Sequence, residues 1–114
     1  MFGMRAISAG LLLSLSLSAE AAVDYTDHGA ICEAIVANDT AAWLIGQKER
    51  FLATTCPCEM KEYEKLLSPV EYRAVVAWRI DARAFAKNLP EGIQLGRFMS
   101  KVLPMGFKIA KTCN

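Results

Sequence analysis

Four cysteines carry most of the chemistry this sequence can offer: Cys32, Cys56, Cys58 and Cys113, two of them in a Cys56-Pro57-Cys58 motif. Three chemistries use such residues. Paired sulfurs crosslink small exported folds. A close thiol pair at a helix start exchanges disulfides, because the helix dipole stabilises one thiolate and the neighbour resolves the mixed disulfide. Soft ligands bind metal: four thiolates suit zinc, and two thiolates with thioethers such as Met60, Met99 or Met105 suit monovalent copper. Against thiol exchange stand Glu59 and Glu62, whose negative charge raises a nearby thiol pKa. A thioredoxin-like site also needs a preceding strand, and no alternating apolar pattern precedes this motif. Methionines at helical spacing usually fill a core. Crosslinking is the expected role.

The remaining inventory for acid, base and nucleophile is thin. His28 is the only histidine and lies near the start of the expected mature chain, where a mobile or surface residue is expected rather than a general base. Glu59 with Glu62, and Glu62 with Glu64, read as the solvated face of a short helix. No glycine-rich phosphate loop is present. The expectation is a protein that is not an enzyme, with no catalytic residues, no metal and no cofactor.

The compartment follows from the first two dozen residues. Arg5 gives a basic start, Ala6 to Ser18 carries five leucines among small residues, and Ala19-Glu20-Ala21 fits a signal-peptidase site. The apolar run is shorter than the roughly 20 residues of a membrane span, so a cleaved leader is favoured over an uncleaved anchor. Residues 1–22 therefore read as a removed signal peptide and 23–114 as a single helical domain, periplasmic or secreted, without a transmembrane span. A domain of that size has a marginal core, and crosslinks are a common remedy.

Helical spacing dominates the mature segment. Thr26 or Asp27 can cap a first helix bearing Ile31, Cys32, Ile35 and Val36, with a stop at Asn38-Asp39. Ala42, Trp43, Leu44, Phe51 and Leu52 mark a second, and Cys56-Pro57-Cys58-Glu59 reads as the start of a third with Met60, Tyr63 and Leu67 buried. Ser68-Pro69-Val70-Glu71 is a capping box with proline in the first turn, predicting a long helix to about Asn88 through Val75, Trp78, Ala82, Phe85 and Leu89. Pro90-Glu91 opens a last helix with Ile93, Phe98, Val102 and Leu103, in which Pro104 should kink or break the chain before Phe107, Ile109 and Cys113. The predicted fold is all-α: a small bundle of four or five short helices stapled by two disulfides.

Helix geometry then limits the pairing. Two residues apart on a helix is about 200° of rotation, so Cys56 and Cys58 face different neighbours and bonding to each other is the least favoured pairing. Cys32 should join one and Cys113 the other. If residues 27–53 formed one continuous helix, Cys32 would lie roughly 30 Å from its end. That is far outside the ~7 Å Cα limit for a disulfide, so the chain must turn near Asn38-Asp39.

Charge is strongly polarised along the chain. Residues 24–71 hold nine acids and four bases, whereas 72–114 hold eight bases and two acids, giving −5 and +6. Arg97, Lys101, Lys108 and Lys111 share one face if the last helix continues past Pro104, with Phe98, Val102, Leu103 and Phe107 around them. Arg79, Arg83 and Lys87 form a second stripe. Gly92, Gly96 and Ser100 recur every four residues, as for close helix packing inside the molecule. Solvated charge is the plain reading of these stripes; an anionic partner is the functional one. Export and the absence of a recognition motif argue against nucleic acid. The expected function is a binding module for a protein or anionic envelope component through Arg97, Lys101, Lys108 and Lys111. The alternative is a thiol-redox or copper-handling protein using Cys56 and Cys58.

Overall fold

A computed structural model describes residues 23–38 and 46–114; the leader and the segment carrying Asp39, Ala42, Trp43 and Leu44 lie outside the described residues. Among the described residues the elements are helical and no strand occurs. Helix α1 (His28–Asn38) starts at Asp27, whose carboxylate accepts from the Ala30 amide at 3.0 Å, and buries Ile31, Cys32 and Ile35. Its described part reaches Asn38, and the predicted stop at Asn38-Asp39 borders residues outside the described ones.

The middle of the chain departs from expectation. A short helix, α2 (Lys48–Arg50), passes through a π-helical stretch, Phe51–Thr55, directly into α3 (Cys56–Leu66). Thr55 is itself helical and makes no side-chain cap, so Cys56-Pro57-Cys58 is not a fresh helix start. The physical reason lies in the spacing of buried side chains. Phe51, Cys56, Met60, Tyr63 and Leu67 are all buried. The last four fit an α-helical stripe, but Phe51 and Cys56 are five apart, one turn of a π-helix. The Cys56 amide bonds the Phe51 carbonyl across that wider turn. Pro57, having no amide hydrogen, needs no acceptor at the junction where the register changes.

Helix α4 (Pro69–Ile80) begins with the full capping box: the Ser68 hydroxyl accepts from the Glu71 amide at 3.2 Å and Glu71 accepts from the Ser68 amide at 3.1 Å. The expected long helix to Asn88 is corrected. Asp81 is extended, and its carboxylate caps a separate α5 (Ala82–Lys87) by accepting from the Ala84 amide at 3.0 Å. The break turns Ala82 and Leu89 outward, while Val75 and Phe85 stay buried.

A turn with Gly92 at φ +87° leads to α6 (Leu95–Cys113), capped by Gln94. Pro104 neither breaks nor ends it. The carbonyl left without its helical donor belongs to Ser100, which is exposed and open to solvent.

Helix α3 is the centre of the bundle, packing against α1, α4 and α6. Ile31, Met60, Val75, Val76 and Val102 are its fully enclosed aliphatic side chains. Phe98 locks the start of α6 against Trp78 and Phe85, with ring centroids 6.2 and 5.3 Å apart. At the N-terminal approach to α1, the Tyr72 hydroxyl donates to the Tyr25 carbonyl at 2.9 Å and the Arg73 guanidinium lies 5.4 Å from the Tyr25 ring.

Candidate functional site

The Cys56-Pro57-Cys58 motif is a structural hub. Cys56 bonds Cys32 of α1 and Cys58 bonds Cys113 at the end of α6, with Cα separations of 5.9 and 5.7 Å. This fulfils the expectation from the 200° offset and settles which partner each takes. Cys56 points inward and is fully buried, whereas Cys58 is half-buried toward α6. The two closed loops, spanning separations of 24 and 55 residues, follow one another without overlapping. Chain-entropy restriction of the unfolded state for loops of these lengths amounts to about 3.5 and about 4 kcal/mol.

No cysteine is free, so neither thiolate exchange nor thiolate ligation has a sulfur at its disposal in this oxidised form. Two physical supports of the redox reading also fall away. The motif follows helix rather than opening it, which removes the exposed dipole end. Met60, the nearest thioether, is wholly buried in the core, and Met99 and Met105 pack against that core from α6. Two intramolecular disulfides fit an oxidising compartment. Among the described residues no helix is long and apolar enough to cross a membrane.

His28 is a surface residue, in keeping with the expectation, and it has a partner. It opens α1, and its Nε2 lies 2.9 Å from Glu64 Oε1 on α3. The carboxylates near the motif are similarly engaged: Glu62 pairs with Lys65 at 3.2 Å, and Glu59 takes a 3.2 Å contact from Arg79. That Glu59–Arg79 pair borders a cleft of about 220 Å³ with Arg50, Thr55 and Asn114. Arg79 therefore leaves the basic stripe proposed with Arg83 and Lys87, which the break at Asp81 divides in any case.

The basic face of α6 is assembled as the continuous helix requires. Arg97, Lys101, Lys108 and Lys111 project along one side, all exposed. Their surroundings differ from the sequence expectation in three respects. Phe98 and Val102 are core residues, 4% and 1% exposed, and belong to the opposite face. Leu103 and Phe107 stand in solvent beside the cations, 46% and 73% exposed. Lys101 is partnered: its Nζ lies 2.8 Å from Glu71 Oε2, which holds the Glu71 carboxyl below the usual carboxylate range together with the Ser68 amide. Arg97, Lys108 and Lys111 make no ion pair among the described residues.

A groove of about 510 Å³ opens beside Arg97, between the first turns of α4 and α6. Val70, Ile93 and Phe98 give it apolar walls, while Glu71 and Glu91 face Arg97 and Lys101 across it. Its mixed charge favours neither anion nor cation. No sequence signal pointed to it, because it exists only through the tertiary placement of two helix starts.

The small-residue series also moves. Gly92 and Gly96 meet no neighbouring element, and Ser100 is exposed, so these positions are not where helices approach. Gly106 is. A Cβ there would lie 2.9 Å from the buried Tyr63 hydroxyl, so glycine is what allows α6 to lie so close to α3. Burial pushes the Tyr63 phenol up, with the Arg79 guanidinium opposing it.

Compared with family models, curated proteins and solved structures, the chain has no match, and its functional reading rests on the surface and crosslinks described above.

Proposed function

We propose that this protein is an exported, disulfide-stapled helical module that acts by binding, without catalysis, an acidic protein surface or anionic envelope component through the outer face of α6. The observation that carries the reading is Phe107. Its phenyl ring is 73% exposed, stands one turn from Leu103, itself 46% exposed, and is flanked by Lys108 and Lys111, so apolar and cationic side chains share one exposed patch. Helix α6 contains four cations and no acidic residue from Leu95 to Cys113. The crosslink from Cys113 to Cys58 and the Phe98 aromatic cluster fix both ends of the helix, so the face is presented rigidly and little ordering cost accompanies contact. The alternative use of Cys56 and Cys58 in thiol exchange or copper handling requires opening one of the crosslinks, and no geometry at the motif favours it.

The test is site-specific photocrosslinking in the native host from position 107, with position 33 on the exposed side of α1 as reference. A discrete adduct from position 107, lost in an Arg97→Glu, Lys108→Glu, Lys111→Glu variant, is the expected result. Equal crosslinking from both positions, or an adduct indifferent to the charge reversal, would refute the assignment. Lys101 is left untouched because reversing it would set two carboxylates together at Glu71.

A further inference from the structure

Resting on that reading of α6 as the contact face, we infer that its partner is an anionic lipid surface, on which α6 lies flat with Phe107 and Leu103 inserted among the headgroups. The exposed face is a single convex ridge: from Arg97 to Lys111 it is roughly 21 Å long at 1.5 Å per residue, and a helix is about 10 Å across. The strip thus offers roughly 200 Å², about a quarter of the ~800 Å² per partner of a standard protein interface. A protein partner needs more area or a concave fit. A bilayer surface needs neither, because it is laterally continuous and deforms around whatever inserts.

Chemistry agrees with shape. Interfacial helices combine a basic polar face with a few large apolar side chains that reach the headgroup boundary. On α6 the unpaired cations Arg97, Lys108 and Lys111 run along the ridge, and Leu103 and Phe107, one turn apart, occupy its edge at 46% and 73% exposure. Pro104, which lies between them and the cations, has no amide to shield, and the Ser100 carbonyl it leaves free is on the same exposed side. Phe98, Val102, Ile109 and Cys113 of the same helix are committed to the core, and Leu95 is partly exposed at its first residue. Adsorption is therefore shallow and reversible: the charges draw the protein to the surface and the two apolar side chains hold it, while the fold stays intact.

Charge complementarity sets the lipid class. Helix α6 itself carries no acid, Glu71 is taken by Lys101, and Glu91 lies beside the groove at the Arg97 end, so the cationic character is concentrated at Lys108 and Lys111; binding there requires anionic headgroups and weakens with salt. Each basic residue beside an anionic leaflet contributes roughly a fivefold gain in partitioning, so reversing all three should reduce it at least ~100-fold. Losing the Phe107 ring should cost about tenfold.

The experiment is sedimentation of the purified, oxidised mature protein with phosphatidylcholine vesicles and with 7:3 phosphatidylcholine:phosphatidylglycerol vesicles, at low and high salt. The expected result is binding to the anionic vesicles only, suppressed by salt, reduced about tenfold by Phe107→Ala and at least ~100-fold by the Arg97→Glu, Lys108→Glu, Lys111→Glu variant. Circular dichroism should be unchanged in both variants, since every altered side chain is exposed. Equal binding to the two vesicle types, or variants that bind as the wild type does, overturns the inference. A wild-type protein that ignores anionic vesicles yet gives a discrete protein adduct from position 107 overturns the lipid partner while sustaining the binding module. Failure in both assays overturns both.

Discussion

Replacing Gly106 with alanine probes the close approach of α6 to α3. In an unpacked helix the change stabilises by about 1 kcal/mol, because glycine loses more backbone freedom on folding. Here the added Cβ would lie 2.9 Å from the Tyr63 hydroxyl oxygen, inside ordinary van der Waals contact by about half an ångström. The oxygen terminates a rigid ring that is 3% exposed and is held near Glu59 and Arg79, so it has little room to retreat. Overpacking of this kind costs about 1 to 3 kcal/mol, which cancels or exceeds the propensity gain. Gly106→Ala is therefore expected to be neutral or destabilising by up to about 2 kcal/mol. The same change in a Tyr63→Phe background, where the oxygen is gone, should recover a stabilisation of about 1 kcal/mol. Guanidinium unfolding of the four proteins with disulfides intact, followed by far-ultraviolet circular dichroism, gives the double-mutant cycle. A coupling of at least about 1 kcal/mol is expected. If alanine stabilises equally in both backgrounds, α6 does not approach α3 as described and the steric reasoning fails.

Three other perturbations have defined outcomes. Ser68→Ala removes half of the capping box and should destabilise by about 1 kcal/mol in chemical unfolding, with no loss of helix α4 in the folded state. Glu71, whose carboxyl is held low by Lys101 and the Ser68 amide, contributes stability that is present above the ordinary glutamate pKa and lost as pH falls through its lowered folded value. Glu71→Gln should flatten that acid limb of the stability profile; an unchanged limb would mean that the contact is not made in solution. Tyr72 is 4% exposed, donates to the Tyr25 carbonyl, and has its phenol pushed up to about 12 by burial and then by Glu64. Its raised pKa makes its contribution complete below about pH 10 and lost as pH rises from there through about 12, a fall in stability that Tyr72→Phe should abolish. The difference between ultraviolet titrations of the two proteins identifies the Tyr72 phenol.

Features specified by a few adjacent residues were legible in the sequence. The Ser68-Pro69-Val70-Glu71 box needs only its own four residues to be recognised, and the structure reproduces it in full. That Cys56 and Cys58 take different partners followed from a rotation per residue, because a helix fixes where side chains two apart must point; which of them joins Cys32 needed the packing of α1 on α3. Features that depend on neighbours were not legible. Apolar spacing from Val75 to Leu89 concealed the break at Asp81, although aspartate is a good cap and Ala84 supplies the amide it needs. The π-helical turn answers a demand that both Phe51 and Cys56 reach the core, which no local propensity encodes. Pro104 looked like a helix breaker only because the solvent exposure of the Ser100 carbonyl was unknown. At the candidate surface the four cations were identified from spacing alone. The division of the apolar residues, with Phe98 inside and Phe107 outside, required the packing of α6 on Trp78 and Phe85.

Cys56 and Cys58 form a structural hub that ties α1 and α6 to α3. Mass-spectrometric disulfide mapping of the oxidised mature protein, with a free-thiol count, tests it most directly, since backbone fragmentation before Pro57 separates the two cysteines of the motif. The expected result is no titratable thiol, with Cys32 joined to Cys56 and Cys58 joined to Cys113. A Cys56–Cys58 bond, or two free thiols at the motif, would contradict it and return the site to thiol chemistry.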